Sequence, residues 1–334
     1  MNKKILILKN DRVGDLFHSL NGINAILNDN KDSQIEIILS PISKDLSFLF
    51  YSNNIKISYL PYHLTILNKF NLFLKIIFNS YDKIYILSPK NFYYYLTLFS
   101  NGKFFAITVK NSNKSRPFNF LTKKLFKYIV NNRDNKKINQ SINTLIFELC
   151  SNKSKSDYPF LLNNTPNTSA LFKDNINLFS NFIHIHYKEV IFKKNGWDNK
   201  DFFNLINSLS NTNKIILTSD YGKFSYHNEF LSNLSSLNFE NNTNNINLDN
   251  NIHYLHNLDT KDLFELIKLS STVISPHGTM TVMASYLNKK VIDIFDTNIN
   301  INAFREYKPD NDNYNFLIIN KNFNKFLFKI RKFL

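Results

Sequence analysis

Cysteine is almost absent from this chain, which has one, Cys150, in 334 residues. A single cysteine cannot form an intrachain disulfide, and it excludes metal sites built from several cysteines. The fold must therefore be stabilised mainly by buried apolar side chains, and 43% of the residues are hydrophobic. Glycine is scarce too, with only six in the chain, so a glycine between a strand and a helix indicates a turn that needs its backbone freedom.

Long apolar runs are missing as well. The nearest approach to a membrane-spanning segment is Leu64 to Phe78, which Lys69 and Lys75 interrupt. The start of the chain, MNKKILILK, has too few apolar residues for a secretory signal. These absences predict a cytoplasmic protein, and they leave open a peripheral attachment to the inner face of the inner membrane.

Acidic residues are outnumbered, with 26 Asp and Glu against 41 Lys and Arg, and the net charge is +15. This balance favours an anionic partner: nucleic acid, an anionic membrane surface or a phosphorylated substrate. No RNP, helix-turn-helix or zinc pattern accompanies the charge, so nucleic acid is not the expected partner. Two basic, aromatic regions, 117–149 and 321–334, suit a surface of anionic lipid, or packed helices with a solvated basic face. The first combines these side chains: Phe120, Lys123, Lys124, Phe126 and Lys127.

Short apolar runs alternate with helical patterns along the chain, which is typical of parallel βαβ units. The strands predicted in the first half are Lys4–Lys9, Ile35–Ser40, Ile55–Leu60, Lys83–Ser88 and Phe104–Val109. Those predicted in the second half are Phe182–Tyr187, Lys214–Ser219, Ile252–Leu255, Thr272–Ser275, Val291–Phe295 and Asn315–Ile319. The intervening helices are predicted at 15–28, 43–51, 63–79, 92–99, 117–130, 137–149, 199–209, 228–236, 261–269, from 280 and at 321–334. The Asn-rich stretch 240–251 is predicted to be an exposed loop.

A segment rich in Ser, Asn and Pro, from Ser151 to Asp174, predicts a domain boundary. We place it near 165, which gives domains at 1–165 and 166–334. Each domain then has five or six strands, the size of one Rossmann-like domain. The predicted fold class is α/β, with two Rossmann-like domains facing each other across a cleft.

Two turns between a strand and a helix carry the candidate site residues. In the first, Gly14 and Asp15 follow Arg12, but the three glycines of a dinucleotide fingerprint are missing. Asp15 is interpreted either as a helix N-cap or as a general base. In the second, the amides of Gly278, Thr279 and Met280 start a helix, where an anion such as phosphate fits. An ordinary turn is the alternative.

Three segments in sequence resemble the heptosyltransferase-like glycosyltransferases, family nine, of the GT-B fold. They are the opening ILILKNDRVGDLFHSLNGINAIL, the middle KKNGWDNKDFFNLI, and the unit STVISPHGTMTVMASYLNKKVIDIF from Ser271 to Phe295. The resemblance implies an inverting, metal-independent transfer of a heptose or similar sugar from a nucleotide-sugar, with an ADP-linked donor as one candidate. No cofactor is expected. The implied acceptor is a lipid-linked glycan such as a lipopolysaccharide core, held by the N-terminal domain, with the donor on the C-terminal one.

The resemblance also implies roles for individual residues. Asp15 matches the family's base, and the helix dipole is expected to keep it ionised, which makes it a weaker base. Arg12 and Gly14 would lie beside the acceptor. Lys194, or its neighbour Lys193, matches the lysine that contacts the donor diphosphate, with a solvated basic loop as the alternative. The remaining residues assigned to the donor are Thr218, Ser275, His277, Gly278, Thr279 and Met280.

The second turn departs from the family pattern. With the sequences aligned on Gly278, Pro276 and His277 replace the family's Asp and Ser/Thr, and Thr281 replaces its His. His277 could compensate as a hydrogen-bond donor to phosphate, or it could be a packing residue. The loss of the Asp motivates a second hypothesis, a catalytically degenerate protein that binds a nucleotide-sugar or glycan. A basic nucleic-acid-binding protein is a more remote third.

Overall fold

The computed structural model describes residues 3–108, 128–131, 142–150, 179–219, 241–242, 245–249, 251–255, 258–298 and 311–334. These residues divide into two compact units. Unit 1 contains the described residues up to 150, and unit 2 contains those from 179 onward. The predicted domain boundary near 165 and the predicted helix at 228–236 lie outside the described residues.

Unit 1 is built on a parallel sheet in the order β3-β2-β1-β4-β5-β6. Its strands are β1 (Lys4–Lys9), β2 (Gln34–Leu39), β3 (Ile55–Tyr59), β4 (Lys83–Ile86), β5 (Lys103–Thr108) and β6 (Tyr128–Asn131). Its helices are α1 (Val13–Phe17), α2 (Leu20–Asp29), α3 (Ile66–Asn79), α4 (Asn91–Leu96) and α5 (Ile142–Phe147), with 3-10 turns at Pro41–Phe50 and Thr97–Phe99. The central strand β1 reads as a continuous apolar run because it is buried on both faces.

Unit 2 is built on an eight-stranded sheet in the order β14-β13-β12-β7-β8-β11-β10-β9. Its strands are β7 (Phe182–Tyr187), β8 (Lys214–Ser219), β9 (Asn241–Asn242), β10 (Asn245–Asp249), β11 (Ile252–Leu255), β12 (Thr272–Pro276), β13 (Lys290–Phe295) and β14 (Tyr314–Ile318). Its helices are α6 (Glu189–Lys194), α7 (Asn199–Ser210), α8 (Thr260–Leu269), α9 (Thr279–Tyr286) and α10 (Phe323–Phe333). The strands from β14 to β11 are parallel, whereas β10 is antiparallel to both of its neighbours.

Three predictions about secondary structure were wrong. The helix predicted from Pro117 to Val130 ends in strand β6 rather than in helix, although residues 117–127 lie outside the described part. The stretch 240–251 is not a loop, because β9 and β10 extend the sheet there. The sequence NINLD alternates apolar and polar residues as a strand does, but the many asparagines obscured that period. Within the described residues, the second half therefore has eight strands rather than five or six.

The helix predicted over 15–28 also differs, since it is two helices, α1 and α2, separated at His18 and Ser19. The hydroxyl of Ser19 donates to the carbonyl of Asp15 at 2.9 Å, which completes α1 before α2 begins. Of the helices that the structure describes, none combines the length and apolar character needed to cross a membrane.

Candidate functional site

Ligands of open parallel sheets bind beyond the carboxyl ends of the strands, where the strand order reverses. In unit 1 that point lies between β1 and β4, and in unit 2 it lies between β7 and β12. Both turns selected from the sequence fall there, the Gly14-Asp15 turn after β1 and the His277-Gly278 turn after β12.

The turn after β1 is held by buried polar contacts. The Lys9 ammonium and the Asp11 carboxylate form an ion pair at 2.9 Å, with the lysine side chain 2% exposed. The Asn10 side chain donates to the carbonyl of Pro61 at 2.8 Å and accepts from the Tyr93 hydroxyl at 2.6 Å. These bonds fix the backbone from which Arg12 and Asp15 extend.

Asp15 lies in the first turn of α1 and is not an N-cap, because Arg12 holds that position without a side-chain cap. Burial raises the pKa of the Asp15 carboxyl, while the positive charges of Lys9 and Arg12 lower it and Asp11 raises it. The expected effect of the helix dipole is therefore outweighed, since α1 has only five residues and desolvation dominates. A raised pKa makes Asp15 a stronger base than a solvated carboxylate. Arg12 beside it is exposed, and Gly14 is half-buried.

Lys90 is a residue of this site that the sequence did not reveal. Its ammonium donates to the side-chain oxygen of Asn10 at 3.0 Å and to the carbonyl of Tyr62 at 2.8 Å, and it lies 4.5 Å from the centre of the Tyr62 ring. Burial lowers the pKa of Lys90 to about 8. The Arg12 guanidinium also lies over Tyr62, at 5.7 Å. The only sequence signal was the position of Lys90 just after β4.

In unit 2, the backbone conformation at position 278 requires a glycine. Its φ of 156° is a conformation that other residues rarely adopt, and a β-carbon there would lie 2.5 Å from the Lys188 ammonium. Gly278 is the N-cap of α9, and its amide is bonded to the Thr281 hydroxyl at 3.3 Å. The amides of Thr279 and Met280 open the helix and have no acceptor within it.

Lys188 is the second residue that the sequence did not reveal. It follows β7 directly, and its ammonium donates to the carbonyl of His277 at 3.3 Å. Among the described residues, no carboxylate lies within ion-pair distance of it. A half-buried ammonium beside the N-terminus of α9 is an arrangement that attracts anions, since both carry positive charge.

His277 is held in place by a buried acid on the neighbouring strand. Its Nδ1 lies 2.7 Å from Asp293, whose carboxylate also accepts from the Tyr314 hydroxyl. Burial raises the pKa of the Asp293 carboxyl, and the hydrogen bonds from His277, Tyr314 and Thr281 lower it. The imidazole stacks on Phe295 at 4.5 Å. Pro276 stands where the sequence resemblance led us to expect an acid in the turn, whereas His277 is supported by a buried acid on β13.

The two lysines assigned to the donor are already paired. Lys193 forms an ion pair with Glu189 one turn earlier in α6, and Lys194 with Asp296, just after β13. The hydrogen bond from Lys194, together with that from the backbone amide of Asn298, lowers the pKa of the Asp296 carboxyl. Lys194 is 54% exposed in its side chain, and its partner brings it to the carboxyl edge of the sheet, the edge that carries His277.

Thr218 and Ser275 are buried within the sheet, 2% and 0% exposed, so they offer no surface to a donor. The Thr218 hydroxyl lies between two imidazoles, 2.8 Å from His184 and 2.9 Å from His186. Burial and the neighbouring His186 lower the pKa of His184 to about 3. Within the described ranges, no group of three or more His, Cys, Asp or Glu is arranged to hold a metal ion.

Taken together, the two units and their switch-point turns define a class, the α/β fold with two Rossmann-like units known as GT-B. Solved structures share it. Escherichia coli heptosyltransferase WaaC with ADP has a TM-score of 0.69 at 11% identity, and the match covers 99% of this chain and 100% of that one. E. coli ADP-heptose LPS heptosyltransferase II has a TM-score of 0.65 at 14% identity, covering 99% and 98%. A putative UDP-N-acetylglucosamine 2-epimerase from Listeria monocytogenes has a TM-score of 0.63 at 11% identity, covering 100% and 88%.

No family model and no curated protein matches the sequence. The solved structures nevertheless confirm, at the level of the fold, the resemblance that the three sequence motifs suggested. Identities this low carry the fold and not the activity, so the function must be argued from the residues of this chain.

Proposed function

We propose that this protein is a glycosyltransferase that moves a sugar from a nucleotide-sugar to a lipid-linked glycan, such as a lipopolysaccharide core, at the cytoplasmic face of the inner membrane. The observation that carries the proposal is the pair of turns at the two switch points. One presents a half-buried carboxylate, and the other presents an ammonium beside a helix N-terminus. These are the groups that an inverting transfer without a metal needs.

In the proposed reaction, unit 1 binds the acceptor and unit 2 binds the donor. Asp15 takes the proton of the acceptor hydroxyl, and the oxygen forms a bond to the anomeric carbon. The bond from that carbon to the diphosphate breaks at the same time, which inverts the configuration. Lys188 and the amides of Thr279 and Met280 stabilise the charge on the leaving diphosphate. Lys194 is a further donor contact if a bound diphosphate displaces Asp296.

The fold neighbours guide the choice of donor. WaaC was crystallised with ADP, so ADP-linked sugars come first, and the likeness to an epimerase of UDP-N-acetylglucosamine makes UDP-linked sugars the second set. Truncated lipopolysaccharide serves as the acceptor in both. Because burial raises the pKa of the half-buried Asp15, activity should fall as Asp15 is protonated, on an acid limb above the ordinary Asp value of 3.8.

Asp15→Asn tests the proposal because it keeps the size of the side chain and removes the base. Transfer should fall by a factor of about 10²–10⁴ while ADP binding is unchanged. Asp45→Asn is the matched control, since Asp45 is an exposed acid of the same unit. Full activity in the Asp15→Asn protein would show that another group is the base.

Pro276 in place of the family's Asp favours one alternative, a binding protein without turnover. Calorimetry with nucleotide-sugars, followed by an assay for sugar transfer and donor hydrolysis, separates the two. Binding without either reaction supports the alternative. Steeply salt-dependent binding of DNA or RNA at physiological ionic strength would instead support the nucleic-acid hypothesis.

A further inference from the structure

Helix α3 has two apolar faces, which is unusual for a helix at a protein surface. Its inner face buries Leu72 and Ile76 against the sheet of unit 1. Five large apolar side chains on its other side are exposed: Ile66, Leu67, Phe70, Ile77 and Phe78. At 100° per residue they lie within an arc of about 120°, so they form one continuous strip, which we call the outer apolar face.

The exposure of these side chains is large. Ile66 is 86% exposed, Phe78 78%, Leu67 66% and Phe70 55%. Single exposed apolar residues are ordinary, but a contiguous group of this size marks an interaction surface. Leu98 and the neighbouring Phe99 are exposed as well, and the Phe99 ring contacts Phe73 of α3 with centroids 5.0 Å apart.

The charge around the outer apolar face identifies its partner. The described residues 46–108, which include α3, contain six lysines but one acid, Asp82, so a second copy of this region would be repelled. Helix α3 itself carries Lys69 and Lys75 and no acidic residue; Lys75 is paired with Glu36 of β2, whereas Lys69 has no carboxylate partner among the described residues. Exposed apolar side chains in a basic segment match a bilayer with anionic headgroups, where the apolar strip enters the acyl boundary and lysines remain at the headgroups.

The face is also continuous with the candidate acceptor site. Tyr62, which contacts Lys90 and Arg12, lies four residues before Ile66, and the Thr65 side chain caps α3 between them. The first turn of α3 therefore starts at the carboxyl edge of the sheet that carries Asp15.

We propose that the outer apolar face of α3 docks this protein on an anionic lipid surface and brings the Asp15 turn to a lipid-linked acceptor. The second half of the statement rests on the proposed function, whereas the docking itself does not. This surface differs from the basic, aromatic regions 117–149 and 321–334 that composition suggested.

Vesicle flotation tests the docking on the full chain, with phosphatidylcholine vesicles that contain or lack phosphatidylglycerol. The wild-type protein should float with the anionic vesicles. The double variant Phe70→Ser, Phe78→Ser should partition at least about tenfold more weakly, because two exposed rings no longer enter the bilayer. Phe328→Ser is the matched control, since Phe328 is 70% exposed on α10 in unit 2, and its partition should change less than about twofold.

Several outcomes would overturn the proposal. They are a wild-type protein that does not float, an equal loss in the Phe328→Ser control, or a wild-type dimer in sedimentation velocity that the double variant abolishes without any vesicle binding. Calorimetric titration with ADP is run on the same preparations. If the wild-type protein does not bind ADP, that result counts against the proposed function and leaves the docking result standing.

Discussion

Lys188 is the side chain on which the candidate donor site most depends. It has the charge, the position after β7 and a contact with the His277 carbonyl, whereas Lys193 is already paired with Glu189. We expect Lys188→Gln to weaken ADP binding about tenfold or more, the value of one charge-assisted hydrogen bond. Lys193→Gln should change it by less than about twofold. Isothermal titration calorimetry measures both, and equal effects would remove Lys188 from the site.

The Gly278→Ala variant tests the role of Lys188 independently, because position 278 lies against the Lys188 ammonium. A methyl group there meets the Lys188 ammonium and places alanine at a φ of 156°. The strain should destabilise unit 2 by roughly 1–3 kcal/mol in a urea titration. Because the methyl group also displaces Lys188, the loss of ADP affinity in the Gly278→Ala, Lys188→Gln double variant should be smaller than the sum of the single losses. Additive losses would show that the two residues act independently.

Lys90 gives unit 1 a pH dependence whose sign follows from its burial. Its pKa of about 8 in the folded protein lies below the ordinary 10.5, so between these values the unfolded chain holds more protons. Stability contributed by this group should therefore rise with pH across that window and be absent below it. Because the group exchanges at most one proton, the free energy of unfolding can change by no more than ~1.4 kcal/mol per pH unit. Partial exposure of Lys90 reduces that slope.

The Lys90→Met variant should lose that slope when urea unfolding is measured at several pH values from 8 to 10. The variant leaves the carbonyl of Tyr62 without its donor, so its overall stability also changes, but that change does not vary with pH. The slope is thus the relevant readout. Identical slopes in the two proteins would show that Lys90 has an ordinary pKa.

At the scale of elements, most of the parallel strands could be predicted, including β3 and β14 at sheet edges, whereas β6, β9 and β10 could not. β1, β7 and β8 have the bounds that the sequence predicted, because central parallel strands are continuous apolar runs between polar turns. β9 and β10 lie at one end of the sheet, where β9 pairs with β10 and β10 also pairs with β11, and their many asparagines obscure the strand period in the sequence.

The residues of the candidate site also divide into those that the sequence could reveal and those that it could not. The turns at Gly14 and Gly278 could be found because a rare glycine or a strand-helix junction marks them in one stretch of sequence. Lys188, Lys90 and Asp293 could not, because each joins its turn from a different strand end. Asp293 contacts His277 only because β12 and β13 are neighbours in register, with Ser275 opposite Asp293.

Helix α10 is attached to the rest of unit 2 through Trp197. The indole donates to the carbonyl of Asn320 at 2.9 Å and packs on Phe323 and Phe326. Trp197→Ala should therefore destabilise unit 2 by about 3–5 kcal/mol, the usual result of removing a buried ring. Phe328→Ala on the exposed side of α10 should cost less than about 0.5 kcal/mol. Far-UV circular dichroism in urea measures both, and similar values would show that the indole is not a core residue.

At the scale of the whole molecule, the two units should respond differently to a nucleotide. Each has a buried core of its own, and the ammonium next to a helix N-terminus is in unit 2. Saturating ADP, at about 100 times its dissociation constant, should stabilise the unit that binds it by ~2.7 kcal/mol. A partner that binds through net charge alone would have no such preference for one unit.

Hydrogen exchange with mass spectrometry tests this difference. ADP should slow exchange in peptides that contain Lys188 and residues 277–281, whereas peptides covering β1, α1 and Lys90 should be unchanged. Inorganic sulfate at the same ionic strength is the control for a general effect of anions, and it should protect the 277–281 turn less than ADP does. Protection confined to unit 1 would reverse the proposed assignment of donor and acceptor, and protection of neither unit would argue against nucleotide binding.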